Sequence, residues 1–314
     1  MWANFLVMKV AITGATGFVG SRLVERLHSE GEQILVLTRN PEKAKRIFPD
    51  SAYPNLEIVA YQPKQSGAWQ KFIDGCDGVV NLAGAGIADE RWNASRKQEI
   101  MDSRKVTTEK LVEAIAQANS KPSVLVSGSA IGYYGTSETV TFDEHSNSGN
   151  DFLAEVCRAW ETAAEPVKDL GVRLVILRIG IVLGMGGTVS KMLTPFKLFA
   201  GGPIGSGKQW FSWVHIDDLV GLILHSLRHQ KIEGKFNATS PNPVRMGEFC
   251  QDLGLVLNRP SWLPVPDFAI ELLLGDGAVV VLEGQKVLPK QTQASGFEYQ
   301  YSTVKSALKN ILAP

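Results

Sequence analysis

The stretch "KVAITGATGFVGSRLVERLHSEG" limits the possible folds more than any other part of the chain. Val7 to Thr13 is an apolar, β-branched run that reads as a buried strand, and the residues after Gly20 recur at helical spacing until Gly31 ends them. Between strand and helix stand Gly14, Gly17 and Gly20. Glycines there let the backbone turn tightly and approach a pyrophosphate, and the helix N-terminus supplies free N–H groups and the positive end of its dipole. A lone glycine pattern is a weak signal, but this one follows a strand and opens a helix, which is the context a dinucleotide site needs.

The same alternation continues. Ile34 to Leu37, Leu56 to Ala60, Val79 to Leu82, Val124 to Ser127 and Leu174 to Leu177 are short apolar strands separated by amphipathic stretches, among them a long one from Ser95 to Ala118. Strands alternating with helices predict an α/β fold with a Rossmann-type, doubly wound parallel sheet. Beyond Gly180, glycines and aromatics interleave without a period, and prolines punctuate the last eighty or so residues. We therefore expect a nucleotide-binding domain over residues 1–180, to which some later segments return, and a smaller C-terminal substrate or partner lobe over 181–314 that ends in a helix from about Val304. Asp217 is expected to cap the helix "DDLVGLILHSL", with Asp218 as its first-turn acid.

The second strand ends "LVLTRN". A site for NAD(H) would be expected to carry an acid there for the ribose 2′-hydroxyl, yet no Asp or Glu stands between Ile34 and Pro41. Arg39 occupies the place, with Lys43, Lys45 and Arg46 behind it, a set suited to a 2′-phosphate and hence to NADP(H).

Together with "TGATGFVG", the stretches "NLAGAGIADERW", "SRKVTTEKL", "SGSAIGYYG", "LRIGIVLG", "GGPIGSGKQWFSWVHIDDLVG", "LNRPSWLPVP" and "LEGQKVLPK" resemble the extended, atypical branch of the short-chain dehydrogenase/reductases. Within it they resemble the epimerase-like family that ends in a domain of unknown function. The resemblance runs almost end to end. It implies cofactor contacts at Gly14, Thr16, Gly17, Phe18, Val19, Thr38, Arg39, Leu82, Ala83, Gly84, Glu99 and Arg104. It also implies an oxidoreductase or epimerase of unknown substrate, and some relatives carry a label of cell or plastid division.

Enzymes of this superfamily use a Tyr, a Lys four residues later in the same helix, and a Ser after the preceding strand to move a proton and fix the substrate. Ser129 is the candidate Ser, with Ser127 close by. The helix "NDFLAEVCRAWE" places Leu153 and Cys157 where Tyr and Lys belong, and neither can do that chemistry. The spacing "YSTVK", Tyr301 to Lys305, lies far downstream and reads as a surface pair at the start of the last helix. Tyr133 and Tyr134 remain as substitute proton donors, with His215 behind them. A non-catalytic NADP(H)-dependent binding or regulatory protein is the competing reading. Lys208 is the only cation near "KQWFSWVHIDD", where related epimerases hold a diphosphate, and Trp210, Phe211 and Trp213 suggest an apolar or planar substrate, a partner surface or core.

The overall balance narrows the partners. Lys plus Arg equals Asp plus Glu at 32 each, with no run of like charge, so neither nucleic acid nor an anionic membrane is indicated. Three scattered cysteines and no metal-ligand spacing fit a reducing cytoplasm and no metal site. The opening residues read as a short overhang from Trp2 to Val7, with Met8 a plausible alternative start, and show neither a cleavable leader nor a membrane span. A small-molecule substrate and a protein partner are both compatible, and oligomeric state is not legible.

Overall fold

The computed structural model describes residues 7–313, so the overhang expected before Val7 lies outside the described residues. The predicted strands form one parallel sheet. In chain order they are β1 (Lys9–Thr13), β2 (Gln33–Thr38), β3 (Leu56–Ala60), β4 (Gly78–Asn81), β5 (Val124–Ala130), β6 (Arg173–Ile179) and β7 (Gly234–Ala238), arranged in space as β7-β6-β5-β4-β1-β2-β3. Order reverses between β1 and β4, which pair in register from Val10↔Gly78 to Thr13↔Asn81. Ligands of open α/β sheets bind at such a switch point, outside the carboxyl ends of the strands.

Alternation along each strand shows why both faces are covered. In β1, Val10 and Ile12 point into one core and Ala11 into the other; in β2, Ile34 and Val36 oppose Leu35 and Leu37. The first core is closed by α1 (Phe18–Ser29) and by the helix Ile216–Arg228. The second lies under α2 (Ala94–Gln117) and α3 (Phe152–Ala164). The apolar positions Leu111, Val112 and Ile115 of α2 are spent on this intramolecular core, while Ile100 packs in a separate cluster with Trp92 and Val156. Ile216–Arg228 and β7 both come from beyond residue 180 and lie on the main sheet.

The lobe has its own core, in which Phe211, Trp213, Phe249, Val304 and Leu308 are buried. Phe211 and Trp213 are thus core residues. Trp210 is half-exposed, with the Arg245 guanidinium 3.8 Å from its ring centre. The last helix, Val304–Ile311, is capped by Thr303, so Tyr301 lies outside it.

One cap differs from expectation. The helix Ile216–Arg228 is capped by His215, whose Nδ1 accepts from the Asp217 amide at 3.1 Å. Asp217 sits one turn position inside and pairs with Arg22 of α1 at 2.7 Å, while Asp218 accepts from the amides of Gln300 and Tyr301. Asp217 is thus a first-turn acid and not the cap, Asp218 is the first-turn acid expected, and both also tie the helix to other elements.

Candidate functional site

A cavity of about 290 Å³ opens at the switch point, bounded by the glycine loop and by the ends of β2, β3 and β4. The glycines differ in what they do. Gly14 has φ +74°, and a Cβ there would come within 2.8 Å of the Leu82 backbone. A Cβ on Gly20 would lie 2.2 Å from the Gly14 carbonyl, so this glycine lets α1 pack against the loop. Gly17 caps α1 in extended conformation, and its own Cβ would meet only the Gly14 oxygen, at 3.2 Å. That glycine keeps the cavity wall open where a phosphate would lie.

Of the residues expected to hold a cofactor, Gly14, Thr16, Gly17, Thr38, Arg39, Leu82, Ala83, Gly84 and Glu99 line this cavity. Three do not. The Phe18 ring packs under the backbone of Gly184, Gly186 and Gly187, and Val19 packs against the first core. What both still offer the cavity is a first-turn amide, which an α-helix leaves without an internal partner. Arg104 is folded back onto protein. Its Nη2 donates to the Ala85 carbonyl at 3.0 Å and its Nη1 to that of Ile100 at 3.1 Å, with the guanidinium 5.2 Å from the Trp160 ring.

Sequence reasoning passed over Tyr61, Lys64, Ser103 and Thr107, which share the wall. Lys64 follows β3 and reaches Glu99 at 2.6 Å, joining the third strand to α2 across the cavity. The usable signal was topological: carboxyl ends of adjacent parallel strands converge on one crevice. At the adenosine end Arg39 and Lys43 stand beside Thr38, and no carboxylate of β2 intervenes. Burial pushes the Tyr61 phenol up to about 12 despite the nearby Arg39 charge, so it presents a neutral hydroxyl. Extended glycine backbone, free helix amides and cations at the far end are a donor set that fits a dinucleotide carrying an extra phosphate.

The other half of the expected site is built differently. Ser129, 2 % exposed, donates to Glu161 Oε1 at 2.8 Å. Arg178 forks onto the same carboxylate, with Nε to Oε1 at 2.8 Å and Nη2 to Oε2 at 2.9 Å, and its Nη1 donates to the Tyr134 hydroxyl at 3.0 Å. Tyr134 in turn donates to Asn237 Oδ1 of β7 at 2.7 Å. Burial would lower the Arg178 pKa, but the hydrogen bonds and charge of Glu161 outweigh it and raise it. Burial also pushes the Tyr134 phenol up to about 12, against the Arg178 charge. Two of the candidate catalytic residues are thus tied into a buried network. Tyr133 differs, because its ring is half-exposed, with the Arg178 guanidinium carbon 3.4 Å from the ring centre.

Leu153 and Cys157 face the turn after β5, against Gly132 and the Ala130 carbonyl. Burial, aided by the Glu161 charge, pushes the Cys157 thiol up to about 11, so it is neither a thiolate nor a cation at neutral pH. Tyr301 stacks on His215 with ring centres 3.9 Å apart, in the lobe and away from the cofactor cavity. Among the described residues no group of three or more His, Cys, Asp or Glu side chains is placed to hold a metal ion.

His215 itself is buried beneath that stack. Burial lowers its pKa below the usual 6.5, only partly opposed by Asp217. The unfolded chain takes up a proton first, so stability is expected to fall as pH drops from about 7 through the unfolded value toward the lower folded one. His215→Asn, which keeps a capping acceptor, should flatten that slope in urea melts recorded across this range.

Residues 10–238 match the NAD dependent epimerase/dehydratase family, and residues 265–311 match a domain of unknown function, DUF1731. The chain belongs to this epimerase family. It is 53% identical to the epimerase family protein SDR39U1 homolog, chloroplastic, of Arabidopsis thaliana, over 97% of this chain and 87% of that one. It is 36% identical to the epimerase family protein YfhF of Bacillus subtilis, over 98% of each. Among solved structures, human epimerase family protein SDR39U1, crystallised with NADPH, superposes with a TM-score of 0.87 at 35% identity, covering 97% of this chain and 99% of that one. A UDP-glucuronic acid 4-epimerase from Bacillus cereus shares the fold, with a TM-score of 0.76 at 16% identity.

Proposed function

We infer that this epimerase-family chain binds NADP(H) in the switch-point cavity, with the pyrophosphate on the Gly14–Gly17 loop and the 2′-phosphate between Arg39 and Lys43. The observation that carries this reading is the adenosine end of the cavity, where Thr38, Arg39 and Lys43 stand and β2 supplies no carboxylate. The NADPH bound to the human relative supports it. First-turn amides of Phe18 and Val19 would take phosphate oxygens, and Glu99 with Lys64 would frame the adenosine side. Arg104 would act by holding the loop at Ala85 in shape. The nucleotide-binding domain expected over residues 1–180 would supply this site, and the lobe expected over 181–314 would bound the substrate side.

Arg39→Ala is expected to weaken NADPH binding about 10- to 150-fold by removing charge-assisted hydrogen bonds while leaving NADH binding nearly unchanged. Nicotinamide fluorescence titration of both cofactors reads this directly, and equal losses for NADPH and NADH would place the 2′-phosphate elsewhere.

Bound NADPH would supply a hydride to an acceptor carbon. Of the chain's own groups, Tyr133 is the proton donor this reading favours: its hydroxyl has no hydrogen-bond partner among the described residues, and the Arg178 guanidinium against its ring holds the ring in place. Ser129 and Tyr134 would then be positioning residues, since Glu161, Arg178 and Asn237 hold their hydroxyls. A second reading is a cytoplasmic protein that binds NADP(H) without turnover and signals cofactor state to a partner, including one in cell or plastid division. It is favoured by Leu153 and Cys157 standing where the Tyr and Lys belong. Oxidation of bound NADPH by a carbonyl panel, lost in Tyr133→Phe, separates the two. Turnover that survives that change removes Tyr133 from the chemistry.

A further inference from the structure

A closed ring of segments stands over the carboxyl edge of the sheet, beside the cofactor cavity. The loop after β4, residues 85–92, begins at the cavity wall and is bound to the segment around Leu272–Asp276. Arg91 donates to the Leu272 carbonyl at 3.4 Å, the Trp92 amide to that of Leu274 at 3.2 Å, and Lys97 pairs with Asp276 at 2.7 Å. From there the helix Asp267–Leu274 leads back to residues 263–265, which pair with 201–205 through Leu263 to Gly201, Val265 to Pro203 and Gly205 to Val265. The helix Thr188–Lys197 completes the circuit, with Lys191 reaching Asp89 of the first loop at 3.6 Å.

This ring carries most of the exposed large apolar side chains of the described residues. Met185, Phe199, Trp262, Phe268, Leu272 and Leu273 are each at least 59% exposed. Exposed apolar side chains gathered on neighbouring segments in this way mark a ligand or interaction site. Phe199 is held at φ +61°, a left-handed conformation that bulky residues seldom adopt, with Arg259 against its ring. Beside the ring, Ile87, Phe152, Leu153 and Val280 are partly buried in an apolar cluster with Trp92, Ile100 and Val156.

Charge on the ring decides the kind of occupant. Arg91, Arg96, Lys97, Lys191 and Arg259 are each engaged by a carbonyl or a carboxylate. Lys197 has no acceptor among the described residues, and neither Asp267 nor Glu271 has a donor. A diphosphate would therefore meet one free cation and two free carboxylates, whereas an uncharged ligand meets hydrocarbon. Lys208, the cation expected near a diphosphate, lines a separate surface hollow with Arg245 and Glu248.

We propose that this ring is the mouth of a substrate site for an uncharged ligand with a long hydrocarbon body, such as an aliphatic or polyprenyl carbonyl compound, and not for a sugar nucleotide. This rests on the NADP(H) reading for its location and extends it to the substrate class. The free carboxylates on the rim also disfavour an anionic lipid surface.

The test uses the full chain saturated with NADPH and titrates 2-hexanone, 2-octanone, 2-decanone and UDP-glucose by calorimetry. Affinity should rise about fourfold per methylene, roughly 250-fold over the four methylenes from 2-hexanone to 2-decanone, with no binding of UDP-glucose. Phe268→Asp and Leu272→Asp change exposed residues and should weaken 2-decanone at least about tenfold, with NADPH affinity unchanged; Val140→Asp, off the ring, should do nothing. Chain-length-independent affinity, binding of UDP-glucose, or intact 2-decanone binding in both ring variants would overturn the proposal. So would a dimer, or attachment to phosphatidylcholine vesicles, that Phe268→Asp abolishes without touching ketone binding. Loss of NADPH binding in the unmutated chain would instead refute the cofactor reading.

Discussion

Glu161→Gln is expected to cost about 3–5 kcal/mol of folding stability, because it leaves the Arg178 guanidinium buried without its counter-charge. Arg178 is 1% and Glu161 4% exposed, and the carboxylate takes two donors from Arg178 and one from Ser129. An amide in its place offers one oxygen for three donors and turns its own NH₂ toward a cation. Lys235, 3.9 Å from Oε2, would lose its partner as well. Set against a total of about 5–15 kcal/mol for a typical domain, the loss is a large fraction. Urea melts of Glu161→Gln, Arg178→Met and the Glu161→Met/Arg178→Met double variant form the decisive set. The double variant should recover much of the loss, since it removes both charges together. A Glu161→Gln loss below about 1 kcal/mol would mean that water reaches the pair and screens it.

Gly17→Val is expected to lower NADPH affinity by more than about a hundredfold while the chain stays folded. Gly17 has φ −84° and ψ 176°, which any residue can adopt, and a Cβ there approaches only the Gly14 carbonyl at 3.2 Å. The added side chain therefore takes the phosphate's space without breaking the loop. Gly14→Val is the contrast: at φ +74°, with the Leu82 backbone 2.8 Å from the new Cβ, it should lose stability and binding together. Fluorescence titration beside a melting curve tells the two kinds of failure apart. Near-normal affinity in a folded Gly17→Val would mean that the phosphates do not lie on this loop.

The strand–glycine–helix unit and the strands after it were legible because each is local. Apolar runs at period 2 and helical runs at 3.6 name their elements, and glycines at fixed offsets name the loop. The absence of an acid after β2 was equally plain, since it needs only the order of residues from Ile34 to Pro41. Leu153 and Cys157 could be placed on α3 by alignment with the family pattern, but which charged groups meet beside Ser129 and Tyr134 could not.

That answer required tertiary structure. Arg178 and Glu161 lie 17 residues apart, on a strand and a helix whose side chains meet only after the sheet has formed, and Asn237 joins them from an edge strand a further 59 positions along. Lys64 entered the cavity wall the same way, through a loop after β3 that carries no motif. His215 displaced Asp217 as a cap because its ring was fixed under Tyr301 from the C-terminal segment. The sequence by itself determined a parallel α/β sheet with a dinucleotide loop suited to an extra phosphate, because those features depend on neighbours along the chain. The tertiary structure alone decided which hydroxyls are free, which charges are already paired and where the apolar rim closes, because each depends on side chains brought together from distant strands by burial.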